Sequence, residues 1–170
     1  MKKLLVLICA LALAALPALA ETAYTAQCGG KPLLTLRYDE KAFRLGTESY
    51  LGSSVGGHTW LGMFGSDGAT VEFSADLYDD LPANCSAAQL ADYLNGRLSD
   101  EHCAYLEQYV PQSKLPFVIF SLNGGMGPSY YAAAVIRGYV VHFEIYNLRG
   151  GVNQDALTTL KTLLDGVKAM

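Results

Sequence analysis

Residues 129–147 place the strongest constraint on the fold, because they contain two β-rich runs joined by a two-residue turn at 137–138. The runs are dense in Tyr, Val, Ile and Phe, which strands favour, so they predict a β-hairpin. A type I′ turn at this position pairs Ala134 with Val141, and a type II′ turn centred one residue later pairs Ala134 with Phe143. The two registers differ by two residues, so every side chain keeps its face in both.

The alternation of this hairpin predicts one apolar face and one half-polar face. The apolar face comprises Tyr130, Ala132, Ala134, Ile136, Val141, Phe143 and Ile145. The other face carries Tyr131, His142, Glu144 and Tyr146, which are candidates for a small polar binding surface or, for His142 with Glu144, an acid/base pair. The alternative is a sheet face whose polar tips reach solvent, since antiparallel sheets commonly leave one face wet.

Helices are predicted at 86–98 and 153–168, where Ser86 with Gln89 forms a capping box and Asn153 supplies a second cap. Their apolar stripes consist of Ala87, Leu90, Ala91, Leu94 and Leu98 in the first helix and Leu157, Leu160, Leu163, Leu164 and Val167 in the second. Further strands are predicted at 33–38, 42–45, 58–64, 69–78, 103–110 and 116–122. Because the strands run together with two helices inserted late, the predicted class is α+β, with a mostly antiparallel sheet packed by the middle helix and the C-terminal helix.

Residues 1–20 have the features of a secretory signal peptide: Lys2 and Lys3, an apolar run, and a small-residue pattern ending at Ala20. Cleavage after Ala20 is predicted, and an uncleaved anchor is the alternative, with an apolar run at the lower limit for a membrane span. The predicted organisation is a signal peptide at 1–20, a loose lead-in at 21–32 and a single domain at 33–170. The predicted location is extracytoplasmic, whether secreted, periplasmic or on the cell surface.

Charge argues against nucleic acid and anionic lipid as partners. Residues 1–20 hold two basic and no acidic residues, so the remainder has ten basic and sixteen acidic residues and a net charge of −6. A basic footprint is therefore absent. No stable membrane insertion is expected after cleavage, since no later stretch is apolar for long enough.

The cysteines after residue 20 are Cys28, Cys85 and Cys103, and in an oxidising compartment they predict one disulfide and one spare thiol. The eleven helical residues 86–96 cover about 16 Å, and the seven residues 97–103, if extended, return about 23 Å. The two α-carbons can therefore come within the distance that a disulfide requires, so a Cys85–Cys103 bond is predicted. Pairing of Cys28 with either one stays open. A metal site at Cys85, His102 and Cys103 is not favoured, because adjacent side chains on a strand point in opposite directions, and no cofactor motif is found.

Two further motifs in the sequence have both a functional and a structural interpretation. Gly52, Ser54 and Gly56 satisfy the Gly-x-Ser-x-Gly string of a hydrolase nucleophile elbow, with His142 and an Asp as partners, but the flanking strand–turn–helix pattern is missing. The acidic cluster of Asp76, Asp79 and Asp80 lacks the glycine and spacing of a calcium loop, so a solvated edge is expected.

The order of elements resembles the PsbP-like fold: an early hairpin ending in an aromatic-Asp turn, a middle helix after a Pro-containing loop, further strands and a final helix. The segments that carry the resemblance are 36–39, 90–94, 130–146 and 157–167. Families of this pattern include photosystem extrinsic subunits and many extracytoplasmic bacterial proteins. The resemblance implies a non-enzymatic accessory or binding domain.

Three functional hypotheses follow. The first is an exported, non-catalytic accessory or binding domain for an unknown protein or small-molecule ligand. The second is a small secreted serine hydrolase that uses Ser54 in the Gly52–Gly56 loop. The third is a structural or inhibitory surface protein that needs no pocket.

Overall fold

The computed structural model describes residues 21–48, 50–66, 68–99, 102–124, 127–146 and 153–170. Its strands are β1 (Glu21–Cys28), β2 (Lys31–Asp39), β3 (Arg44–Leu45), β4 (Ser54–Val55), β5 (His58–Ser66), β6 (Ala69–Asp76), β7 (Ala104–Tyr109), β8 (Phe117–Gly124), β9 (Gly127–Ile136), β10 (Tyr139–Tyr146) and β11 (Val167–Ala169). Its helices are α1 (Ala87–Arg97), between β6 and β7, and α2 (Gln154–Asp165), between β10 and β11.

The strands of the described residues form two antiparallel sheets. The small sheet has the order β1-β2-β11, and the large sheet has the order β3-β5-β6-β10-β9-β8-β7, with β4 paired to β5 at its edge. Every strand pairing is antiparallel. The predicted α+β class with a mostly antiparallel sheet is confirmed, with the difference that the strands divide between two sheets.

The predicted hairpin is formed by β9 and β10 and lies inside the large sheet. Its turn residues Arg137 and Gly138 have φ values of 53° and 82°, as a type I′ turn requires. Ala134 pairs with Val141, so the first of the two predicted registers is the correct one. Positive φ at both turn positions distinguishes this turn from type II′, in which only the first central residue has positive φ.

The main core lies between the apolar face of this hairpin, the small sheet and helix α2. Phe143 of β10 stacks on Phe73 of β6 with ring centroids 5.0 Å apart and an interplanar angle of 6°. Leu160 of α2 is completely buried in the same cluster as Ala132 and Ala134, whose small side chains permit close approach of the helix. Helix α2 is therefore a structural element of the core, as the leucine stripe predicts.

Helix α1 packs on the opposite face of the large sheet, across β7, β8 and β9. Its buried residues Leu90 and Leu94 join Phe120 and Tyr131 in a second, smaller core. The predicted capping box is present, with the Ser86 side chain accepting from the Gln89 N–H and the Gln89 side chain accepting from the Ser86 N–H. The part of this sheet face formed by β5, β6 and β10 lies beside the helix and holds polar side chains.

The prediction of a loose lead-in at 21–32 is wrong. Glu21–Cys28 forms strand β1, which pairs with β2 along its whole length, and Lys31 already belongs to β2. Ala26 and Cys28 are buried in the main core, while the residues between and before them are more exposed. Thr22, Tyr24 and Thr25 are residue types that strands favour, β2 supplies the backbone hydrogen-bond partners, and the core receives the inward positions. The predicted signal peptide at 1–20 lies outside the described residues.

The last helix ends three residues before its predicted boundary at 168. Gly166 caps it, and a Cβ atom at this position would lie 1.8 Å from the Arg37 carbonyl oxygen, so only glycine permits this close approach. The Gly166 carbonyl accepts from the Arg37 N–H at 3.0 Å, and Val167–Ala169 then pairs with β2 as strand β11. Val167 is buried as the helical stripe predicts, but as a strand residue. The first helix, predicted at 86–98, spans Ala87–Arg97.

The predicted Cys85–Cys103 disulfide needs correction, because the structure holds Cys28, Cys85 and Cys103 as free thiols. Cys85 precedes the first residue of α1, whereas the Cys103 sulfur lies 3.9 Å from the carbonyl oxygen of Asn95. Asn95 is about 12 Å along the helix from its first residue at 1.5 Å per residue, so the returning chain does not reach Cys85. The positive φ of His102 turns the chain into β7 at this point.

Leu160→Asp should unfold the protein or lower its free energy of unfolding by more than about 3 kcal/mol, because it loses a fully buried leucine and places a charge in the core. Chemical denaturation followed by circular dichroism measures the change. The matched control is Thr158→Asp, at an exposed position of the same helix, which should stay within about 0.5 kcal/mol of the wild type. A Leu160→Asp protein with unchanged stability would show that α2 is not docked on the core.

Candidate functional site

Strands β5, β6 and β10 present a row of polar and aromatic side chains on the α1 side of the large sheet, beside the helix. This polar face consists of His58, Trp60, Glu72, Ser74, Asp76, His142, Glu144 and Tyr146. The register aligns Trp60, Ser74 and His142 across three strands, and it places Glu72 directly opposite Glu144. The strand order therefore gathers residues that are up to 88 positions apart in the sequence.

Asp76 forms the centre of one end of the polar face, where two imidazoles meet its carboxylate. His58 Nδ1 lies 2.7 Å from Asp76 Oδ1 in a hydrogen bond. His142 Nδ1 lies 3.1 Å from Oδ2, at an angle outside hydrogen-bond geometry, and it has no hydrogen-bond partner among the described residues. Tyr78 donates to Oδ2 at 3.3 Å. The His142 ring also stacks on Tyr131, with centroids 4.8 Å apart.

Burial and the histidines act on Asp76 in opposite directions. Burial by itself would raise its pKa, but the neighbouring imidazoles of His142 and His58 together lower the pKa below its ordinary value. Asp76 is thus ionised over a wide pH range. The neighbouring phenol responds in the opposite sense, because burial and the negative charge of Asp76 raise the pKa of Tyr78 to about 12. This end of the face is thus a carboxylate in contact with two imidazoles and one phenol.

The other end of the polar face combines carboxylates with aromatic rings. Tyr146 donates to Glu72 at 3.4 Å, and Glu144 accepts from Ser129 Oγ at 2.7 Å. Tyr50, from the segment before β4, packs edge-on against Trp60 with centroids 6.0 Å apart. Burial, followed by the charge of Glu72, raises the pKa of Tyr146 to about 12. This end therefore places two carboxylates beside aromatic rings.

All four residues named as a binding surface from the hairpin pattern lie on this side of the large sheet. Tyr131 is buried beneath α1 and supports His142, while His142, Glu144 and Tyr146 are half-buried. His142 contacts Asp76 and Glu144 contacts Ser129, so the two side chains have separate partners. Their role in binding stays a prediction.

The hairpin pattern does not predict the residues that β5 and β6 contribute to the polar face, namely His58, Trp60, Glu72, Ser74 and Asp76. The signal was present: Thr70, Glu72, Ser74 and Asp76 alternate with buried residues along β6. The predicted solvated edge of Asp76, Asp79 and Asp80 is wrong for Asp76. The Asp76 side chain contacts His58 and His142, and only 13% of it is exposed.

The structure does not assemble the serine triad considered from the sequence. Ser54 lies in β4, and the chain turns at Gly56 and Gly57 directly into β5, so a hairpin stands where a nucleophile elbow needs a helix. Ser54 Oγ is 2.7 Å from Thr59 Oγ1. Thr59 shares its face with Ala75, on the side of the sheet opposite His142.

No group of three His, Cys, Asp or Glu side chains suited to a metal ion occurs in the described ranges. The helices of these ranges are too short or too polar to span a membrane.

The fold is PsbP-like. The solution structure of cyanobacterial PsbP (CyanoP) from Synechocystis sp. PCC 6803 is similar to this chain, with a TM-score of 0.51 over 92% of this chain and 96% of that one, at 10% sequence identity. No family model and no curated protein sequence matches the chain. The likeness confirms the fold-level resemblance and extends to nothing finer, because so low an identity carries no site residues across.

Asp76→Asn should destabilise the fold near neutral pH by about 1–3 kcal/mol, because two half-buried imidazoles lose their charged partner. The folded-state pKa of Asp76 is lowered, so its stabilising effect is present above the unfolded-chain value of about 3.9 and is lost as the pH falls through the folded value. The stability difference between variant and wild type should therefore shrink below about pH 4.

Urea unfolding across a pH series measures this difference, with Asp92→Asn as the control because Asp92 is exposed on α1. The control should track the wild type throughout. A deficit for Asp76→Asn that stays constant from neutral to acidic pH would show that the carboxylate charge is not what stabilises the histidine pair.

Proposed function

We propose that the protein is a non-catalytic binding domain that acts outside the cytoplasm and contacts its ligand through the polar face. The observation that carries the proposal is the gathering of half-buried aromatic and charged side chains from β5, β6 and β10 on a surface beside α1. Binding sites of this kind combine apolar rings with a few convergent polar groups. The PsbP-like fold supports the non-enzymatic part of the proposal by analogy.

The location rests on the sequence of residues 1–20, with its basic start, apolar run and small residues before Glu21. Export also fits the acidic remainder of the chain, which offers no footprint for nucleic acid.

The serine hydrolase is the competing enzymatic hypothesis, and the structure gives it little support. Ser54 hydrogen-bonds a threonine and not an imidazole, and the face that bears His142 is the opposite one. A structural or inhibitory surface protein is the third hypothesis. The clustering of half-buried charged side chains on the polar face argues against it, because burying charge is costly and a purely structural face does not require it.

Amide chemical-shift mapping tests the binding face directly. A panel of one amino acid, one sugar, one dicarboxylate and one organic amine is titrated into the ¹⁵N-labelled protein. The expected result is that at least one solute shifts the amides of β6 and β10 in a saturable way and leaves those of α2, on the other side of the sheet, unchanged. Shifts confined to α2 or to the outer strand β7, or no saturable shift at all, would contradict the proposal.

A fluorophosphonate probe tests the enzymatic alternative. The expected result is no stoichiometric labelling, with wild type and Ser54→Ala giving the same background by mass spectrometry. Labelling of the wild type at Ser54 that Ser54→Ala abolishes would establish an activated serine and overturn the non-catalytic assignment.

A further inference from the structure

We propose that a surface cavity between the turn after β2 and the β5–β6 turn binds the phosphate group of a small soluble molecule. The cavity has a volume of about 700 Å³, which is in the range of small-molecule sites. Its described lining, called the anion site below, consists of Lys41, Ala42, Arg44, Gly65, Ser66, Gly68 and Ala69. Residue 67 lies outside the described residues. None of the lining residues belongs to the polar face, so this inference goes beyond the proposed function and does not depend on it.

The turn after β2 fixes the backbone that carries the two cations. The Phe43 N–H donates to the Asp39 carbonyl at 2.9 Å. Phe43 is buried, and its ring meets Phe64 of β5 edge-on with centroids 6.4 Å apart. Lys41 and Arg44, before and after this anchor, are exposed. Burial of one aromatic ring therefore holds both cationic residues at the surface beside β5.

The strand next to Arg44 leaves room for a ligand. Arg44 pairs with Gly65, and Gly65 pairs with Thr70 on its other side. Residues directly opposite each other in a sheet have their side chains on the same face, so the row from Arg44 to Thr70 has no side chain at its middle position. A Cβ atom added at Gly65 would meet no atom within 4 Å. The cavity therefore extends over Gly65, next to Arg44.

The described lining carries charge of one sign. Neither Lys41 nor Arg44 forms an ion pair with any residue that the structure describes. The acidic side chains just before them have other partners, since Asp39 accepts from the Lys41 backbone N–H at 2.9 Å and Glu40 accepts from Thr22 at 2.6 Å. Two accessible cations without a carboxylate partner thus line one cavity, on a chain whose net charge after residue 20 is −6.

These groups suit a phosphate in charge and in hydrogen bonding. The Arg44 guanidinium offers a planar fork of N–H donors that fits two phosphate oxygens, and the Lys41 ammonium supplies a second positive charge. The Ser66 hydroxyl, which has no hydrogen-bond partner within the described ranges, adds a neutral donor. A phosphate monoester carries close to two negative charges at neutral pH, so two cations match it. The acidic chain is repelled by an anionic membrane, which favours a soluble molecule over a lipid headgroup as the source of the phosphate.

Amide chemical shifts of the ¹⁵N-labelled protein measure the binding. Glycerol 3-phosphate, inorganic phosphate and uncharged glycerol are titrated separately at constant ionic strength. Both phosphates should shift the amides of Ala42, Gly65 and Ser66 in a saturable way, and glycerol should shift none of them. Phosphatidylcholine vesicles that contain phosphatidic acid should not sediment the protein.

Three variants and a control locate the binding. Arg44→Gln and Lys41→Gln should each weaken glycerol 3-phosphate binding about fivefold, because each removes one exposed charge from the anion site. Gly65→Val fills the space beside Arg44 and should weaken binding at least as much. It should not lower the melting temperature, since valine favours strands and its Cβ meets no atom. Lys168→Gln, at an exposed position of β11, removes the same unit of charge and should leave the affinity unchanged.

Four results would overturn the inference. A loss of affinity in Lys168→Gln as large as in Arg44→Gln would reduce the effect to net charge. Unchanged binding by a folded Gly65→Val protein would place the anion elsewhere. Absence of a saturable response to either phosphate would refute the anion site, and sedimentation with vesicles without binding of glycerol 3-phosphate would refute a soluble ligand. The proposed function would stand in each case, because its test includes the amides of β10, a strand that does not line this cavity.

Discussion

The packing of α2 and the small sheet on the apolar face of β9 and β10 is the interaction on which the rest of the structure depends. Ala132 and Ala134 are fully buried and let Leu160 approach the sheet closely. Because side chains alternate along a strand, burial of this face fixes the opposite direction for His142 and Glu144. A slip of one residue would bury these polar groups in the core, so the position of the candidate site follows from the hydrophobic packing behind it.

The opposite face of the large sheet is shared between a helix and a polar surface. Helix α1 covers β7, β8 and β9 with its narrow apolar stripe, and the covered strands carry apolar residues such as Val118 and Phe120 on that side. Strands β5, β6 and β10 carry charged and aromatic residues there instead. The boundary passes through Tyr131, which is buried under α1 and stacks on His142 at the edge of the polar face. The helix thereby borders one side of the polar face.

The carboxylates at the two ends of the polar face have different surroundings. Asp76 is surrounded by imidazoles and a phenol, so its charge is compensated locally and its pKa is lowered. Glu72 accepts from the neutral phenol of Tyr146 and lies opposite Glu144. The same strand therefore holds two carboxylates about 13 Å apart, one in contact with imidazoles and one with a phenol.

The sequence by itself determined the local features: the hairpin with its two faces, the caps at Ser86 and Asn153, and the α+β class. These follow from short-range physics, namely the period of the strand, the positive φ of a tight turn and the orphan N–H groups of a helix start. Strand β1 was not predicted although Thr22, Tyr24 and Thr25 favour strands, because its apolar positions are few and its partner β2 and the burial of Ala26 complete it.

Only the tertiary structure decided which distant residues meet. The order β5-β6-β10 brings His58 and His142 to one carboxylate, and it places Ser54 on the opposite side of the sheet from His142. The close contact of Gly166 with Arg37 likewise ends α2 and starts β11 at a point that no helical period specifies. Neighbouring strands are set by the global burial of apolar surface and not by local preference, which is why one hairpin predicts four residues of this sheet side but not their neighbours on β5 and β6.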